Sequence, residues 1–132
     1  MSLGHGAELE LRPRSGQASY AEILREHDVG LALMYTPHPS LVPIEMASAG
    51  MRTVTNSFEN KTPEAMAAIS PNVICAAPSI ESVAAALLRA QAETEDFKLR
   101  ADGARATSWS RDWEESFGDG LLDEIVAFLA EG

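Results

Sequence analysis

The chain has 132 residues, enough for one domain with a modest core, and 20 acidic against 10 basic residues give it a formal net charge of −10 at pH 7. No run approaches the roughly 18 apolar residues of a membrane helix, the start lacks the apolar stretch of a signal peptide, and a single cysteine, Cys75, excludes an internal disulfide and a cysteine-rich metal site. The acidic balance, without a Lys/Arg stripe, argues against a nucleic-acid partner, and a cytoplasmic setting is expected.

Met1-Ser2-Leu3 and Glu131-Gly132 read as cloning residues around a domain spanning 4–130. Glu8 to Arg12, "ELELR", alternates charged and apolar residues as an edge strand does. A helix is predicted from Tyr20 to His27, with Ser19 and Glu22 as a capping box. Val29 to Tyr35, "VGLALMY", is a continuous apolar run of the kind buried on both faces of a parallel sheet. Leu41 to Ala49 is a second helix, with Ser40 as N-cap and Gly50 past its end.

Met51 to Asn56 is the next strand. Thr62-Pro63 opens a third helix, since proline fits the first helical turn. Asn72 to Ala77 is a further strand. Ser79 caps an amphipathic helix over Ile80–Ala92 that turns Val83, Leu87 and Leu88 inward. From Phe97 to Ala130 the pattern is helical, with breaks near Ser108 and at Gly118-Asp119-Gly120, and Trp109 and Trp113 read as tail packing. This alternation predicts an α/β, Rossmann-like three-layer domain: a short parallel sheet of about four strands and a helical C-terminal tail.

The segment Thr36-Pro37-His38-Pro39-Ser40 lies between a buried strand and a helix start. Ligands of parallel sheets bind at the strands' C-terminal edge, where unpaired N–H groups and the helix dipole favour an anion. The two prolines hold the loop's shape. Two readings stand: a stiff turn, or an anion cradle built on His38 and Ser40. Glu45 lies farther along the same helix, where its carboxylate can accept from a sugar hydroxyl. Asn56, Asn60 and Lys61 cluster after the next strand and add two amides and a positive charge.

The string from Tyr20 to Lys61, with Pro-His-Pro-Ser, Glu-Met-Ala, Thr-Asn and Glu-Asn-Lys in order, resembles the donor-binding half of GT-B glycosyltransferases. The similarity is to bacterial rhamnosyltransferases that build surface glycans, and it continues weakly through Ser70–Leu87. The resemblance implies a nucleoside-diphosphate sugar, dTDP-rhamnose, as donor, with no metal and no other cofactor. It matches Glu45 to the second Glu of a Glu-x7-Glu motif that holds the nucleotide's sugar ring. The first Glu falls at Pro37 and is absent, which puts the hold on the transferred sugar on His38 or Ser40. It further implies a fragment, with a glycan acceptor held by a missing N-terminal domain, a parent enzyme that associates peripherally with a membrane, and an inactive isolated piece. A homodimer through the sheet edge is the alternative to "ELELR" pairing beside "VGLALMY". The competing function is a non-catalytic nucleotide-binding or regulatory module on a flavodoxin-like fold.

Overall fold

The computed structural model describes residues 1–110 and 112–130. Its order is β1 (Ser2–Gly4), β2 (Ala7–Glu8), α1 (Gln17–Arg25), β3 (Val29–Leu31), α2 (Leu41–Ser48), β4 (Arg52–Asn56) and α3 (Pro63–Ile69). There follow β5 (Val73–Ala76), α4 (Ile80–Ala92), α5 (Phe97–Arg105), α6 (Trp113–Ser116) and α7 (Asp119–Ala130). The α/β, Rossmann-like expectation holds: β3, β4 and β5 form a parallel sheet in that order, with Val54 opposite Leu31 on one side and Ile74 on the other.

The strand period of two sorts side chains between the layers. Val54, Ile74 and Ala76 pack with Ala86 and Ala90 of α4, while Val73 and Cys75 lie with Ala47 of α2 and Met66 of α3. Small residues at 86 and 90 let α4 approach the sheet closely. The consequence corrects one expectation: Val83 and Leu87 pack inward as predicted, but Leu88 is 67% exposed.

The sheet has three strands, not four. Ala7–Glu8 pairs antiparallel with Ser2–Gly4 in a separate hairpin, and the remainder of "ELELR" adopts no strand. Two of the predicted cloning residues, Ser2 and Leu3, thus lie in β1; Glu131-Gly132 lie outside the described residues. β3 is left as an edge strand, and the run predicted to be buried on both faces is open there, with Leu31 45% and Leu33 55% exposed. It is also short, its regular part ending at Leu31.

The first helix start differs from expectation. α1 begins at Gln17 behind an extended Gly16, with Tyr20 N–H bonding Gly16 O at 2.9 Å, so Ser19 lies inside the first turn and forms no capping box. It ends at Arg25, where the imidazole Nδ1 of His27 bonds Ile23 O at 2.7 Å. The starts of α3 and α4 are as predicted. Thr62 accepts from Ala65 N–H ahead of Pro63, Ser79 accepts from Ser82 N–H, and Gly50 ends α2 at φ 89°.

Beneath the strand N-termini a buried polar lattice fastens α5 and the end of α4. Arg52, 2% exposed, bonds Glu93 at 2.8 Å, Pro71 O at 2.7 Å and Asn72 Oδ1 at 3.3 Å. Asn72 donates to Ala47 O and to Arg100 O, and Arg100 reaches Gly50 O and Asp28. α7 packs none of its residues inside; Ile125, Val126, Phe128 and Leu129 are all exposed. The Trp113 side chain of the predicted tail pair lies outside the described residues.

Candidate functional site

The loop after β3 is held by side chains of β4 and the turn that follows. Ala32 N–H makes a last ladder bond to Val54 O at 3.0 Å. Asn56 then takes the ladder's place: Oδ1 accepts from Met34 N–H at 2.8 Å, and Nδ2 donates to Met34 O and Ser57 O, each at 3.2 Å. Lys61 Nζ donates to the same Met34 carbonyl at 2.6 Å. Asn56 is 5% exposed and Lys61 2%. Burial pushes the Lys61 ammonium below the ordinary lysine range, with the Cys75 sulfur acting in the opposite sense. Both residues therefore grip Met34 from below.

In the loop itself, Ser40 N–H donates to His38 Nδ1 at 2.9 Å, and Thr36 Oγ1 to His38 O at 3.3 Å. A ring nitrogen that accepts carries no hydrogen, so the neutral imidazole keeps its proton on Nε2, free to donate outward. Ser40 is buried at φ 69°, ψ 146°, and its hydroxyl makes no cap bond to α2. This corrects its predicted role as N-cap. The N–H groups left for a ligand at this helix start belong to Leu41 and Val42, both exposed, since Pro43 has none.

Glu45 stands apart from that loop. It is exposed on α2 and lines a cavity of about 660 Å³ with Gln17 and Tyr20 of α1, Leu41 and Ser48 of α2, and Trp109 beyond α5. Burial raises the Tyr20 phenol above its ordinary range, and the negative charge of Glu45 adds to the shift. Asn56 lines a different cavity of about 600 Å³, walled by Leu33, Met34, Tyr35, Ile80 and Leu87. Lys61 lines neither, so Glu45 and Lys61 do not share the rim of one groove as expected. Asn60 is exposed in the turn from Phe58 to Lys61.

The predicted residues thus fall into three places: His38 and Ser40 in the loop, Asn56 and Lys61 beneath it with Asn60 beside them, and Glu45 facing α1. Sequence reasoning gave Gln17 and Tyr20 no functional part and read Trp109 as packing; the placement of an aromatic from each end of the chain beside Glu45 left no local signal. Among the described residues, no three His, Cys, Asp or Glu side chains are grouped to hold a metal ion, and no helix is long and apolar enough to cross a membrane.

A family model described as "WsaF, C-terminal domain" matches residues 1–88. The chain is 40% identical over 65 residues to the O-antigen biosynthesis protein RfbC of Myxococcus xanthus, a stretch covering 49% of this chain and 5% of that protein. The chain therefore corresponds to a small part of that relative. No solved structure matches it.

Proposed function

The chain belongs to the WsaF C-terminal domain family, and from that premise we propose that it is the nucleotide-sugar-binding part of a glycosyltransferase acting in surface glycan synthesis. The donor is a nucleoside-diphosphate sugar, dTDP-rhamnose in the first instance. The observation that carries this reading is the cavity between α1 and α2, whose lining includes a single carboxylate, Glu45, and two aromatic residues, Tyr20 and Trp109. A nucleoside needs such a place: apolar walls for the base and an acceptor for a hydroxyl of its sugar ring. The diphosphate then runs toward the start of α2, where the Leu41 and Val42 N–H groups and His38 Nε2–H donate. Ser40, Asn56 and Lys61 keep that loop in shape; Asn60 sits where the same edge opens to solvent.

The relative's printed role in O-antigen synthesis supports the glycan as product. Transfer needs an acceptor fixed against the donor, and we assign most of that hold to a further domain of a longer cytoplasmic enzyme at the membrane surface. Titration calorimetry of the chain with dTDP tests the reading. Binding is expected with a dissociation constant on the order of micromolar to millimolar, and Glu45→Ala is expected to lose about 1–3 kcal/mol, as when a charge-assisted hydrogen bond is removed. Equal affinity in the two proteins would take Glu45 out of the site.

A further inference from the structure

We propose that Tyr35 is the floor of a second carbohydrate subsite, one that receives an uncharged sugar ring of the growing glycan; the assignment to the glycan rests on the function proposed above. Tyr35 is 73% exposed, yet it is not loose. Its ring stands edge-on to half-buried Phe58, with centroids 4.3 Å apart and planes at 63°. Phe58 is fixed in turn by a tight turn in which Phe58 N–H bonds Lys61 O at 3.2 Å and Lys61 N–H bonds Phe58 O at 2.9 Å. Lys61 grips Met34, the residue before Tyr35, so the aromatic pair is tied at both ends. A large apolar face is thereby held open to solvent at the sheet edge where ligands bind.

Its surroundings select the ligand. Beside the ring lies a depression of about 460 Å³ lined by Ser57, Phe58, Glu59, Thr62 and Pro78. Thr62 is occupied as the cap of α3. The Tyr35 and Ser57 hydroxyls and the Glu59 carboxylate have no protein partner among the described residues. A pyranose offers a face of C–H groups and a rim of hydroxyls, which is the complement of an aromatic plane edged by two hydroxyls and an acceptor carboxylate. The Glu59 charge, in a chain of net charge −10, opposes a diphosphate here and favours a neutral sugar. Nucleotide and glycan are so given separate places.

The test is NMR titration of the full chain with methyl glycosides of rhamnose, mannose, glucose and galactose, alone and with dTDP present. At least one glycoside is expected to shift the amides of residues 57–62 and the Tyr35 ring saturably, with or without dTDP. Tyr35→Ala is expected to weaken that binding about five- to tenfold, the share carried by ring stacking, whereas Tyr35→Trp retains it and Glu59→Gln alters which glycoside is preferred. No shift with any of the four, or equal shifts in Tyr35→Ala, overturns the subsite. Glycoside shifts that persist while dTDP fails to bind would remove the nucleotide reading and leave the subsite standing.

Discussion

Ser40 holds a backbone conformation, φ 69° and ψ 146°, that glycine enters freely and residues with a Cβ seldom do. It stays there because its N–H is caught by His38 Nδ1, and Pro37 and Pro39 stiffen the loop on either side of that histidine. Its hydroxyl makes no cap bond in return. Ser40→Gly is therefore expected to raise stability by about 1 kcal/mol, the lower end of what such a residue costs, read as a higher midpoint in urea unfolding. A lower midpoint would show that the serine side chain contributes what the backbone loses. This residue also shows where sequence reading stops. The string Pro-His-Pro-Ser marks a stiff turn before a helix, and that was legible. Whether the serine's oxygen caps the helix or its nitrogen is taken by the histidine depends on one ring's orientation, which no spacing encodes. Asn56 and Lys61 illustrate the same limit. Both were picked out by position at or just past the end of β4, but burial and a shared carbonyl partner make them supports of the loop, a role visible only once β3 and β4 lie side by side.

Elements whose signals are local were read nearly to the residue: α4, and α3 behind Thr62-Pro63, each with a cap that bonds as expected. α5 was read only as part of a helical tail, because its attachment is a matter of tertiary polar bonds. Gly103 lies inside α5 and is buried, where a Cβ would sit 2.3 Å from Asn72 Oδ1. In an exposed helix, Gly→Ala stabilises by up to about 1 kcal/mol. Here Asn72 is fully buried and already bonded to Ala47, Arg100 and Arg52. Gly103→Ala is instead expected to destabilise by about 1–3 kcal/mol through overpacking, with α5 amides losing hydrogen-exchange protection before those of β4. At the end of α4, burial raises the Glu93 carboxyl, but hydrogen bonds from Arg89 and Arg52 outweigh it and hold the group below the ordinary glutamate range. A carboxylate lowered in the folded state stabilises at neutral pH and loses that contribution as pH falls through its folded value. Glu93→Gln, which leaves Arg52 buried without a countercharge, should cost about 3 kcal/mol at pH 7. Denaturant unfolding at a series of pH values should show that difference closing below about pH 4, near the ordinary glutamate value; a difference that stays constant well below that pH would sink the argument.

At the scale of the whole molecule, the parallel sheet was foreseen and its number of strands was not. Alternation along Glu8–Arg12 has the right period for an edge strand, but nothing in a period says which sheet it joins. It folds back on Ser2–Gly4, and β3 keeps an open edge. The order β3, β4, β5 has a further consequence, for time rather than for energy. Each strand pairs with the one next in the chain, so Val29 finds Arg52 and Thr53 finds Val73, with only one helix to traverse each time. The parallel sheets that fold slowly are those whose central strands wait for partners far along the chain. Here every loop that closes is of nearly the same modest length, and the sheet can zip from its first strand to its last in the order in which a ribosome releases them. The nascent domain need never hold a finished strand while its partner on the β4 side is still unmade by more than one helix, and the bonds from the Asn72 lattice to α5 can close only after all three strands have been made.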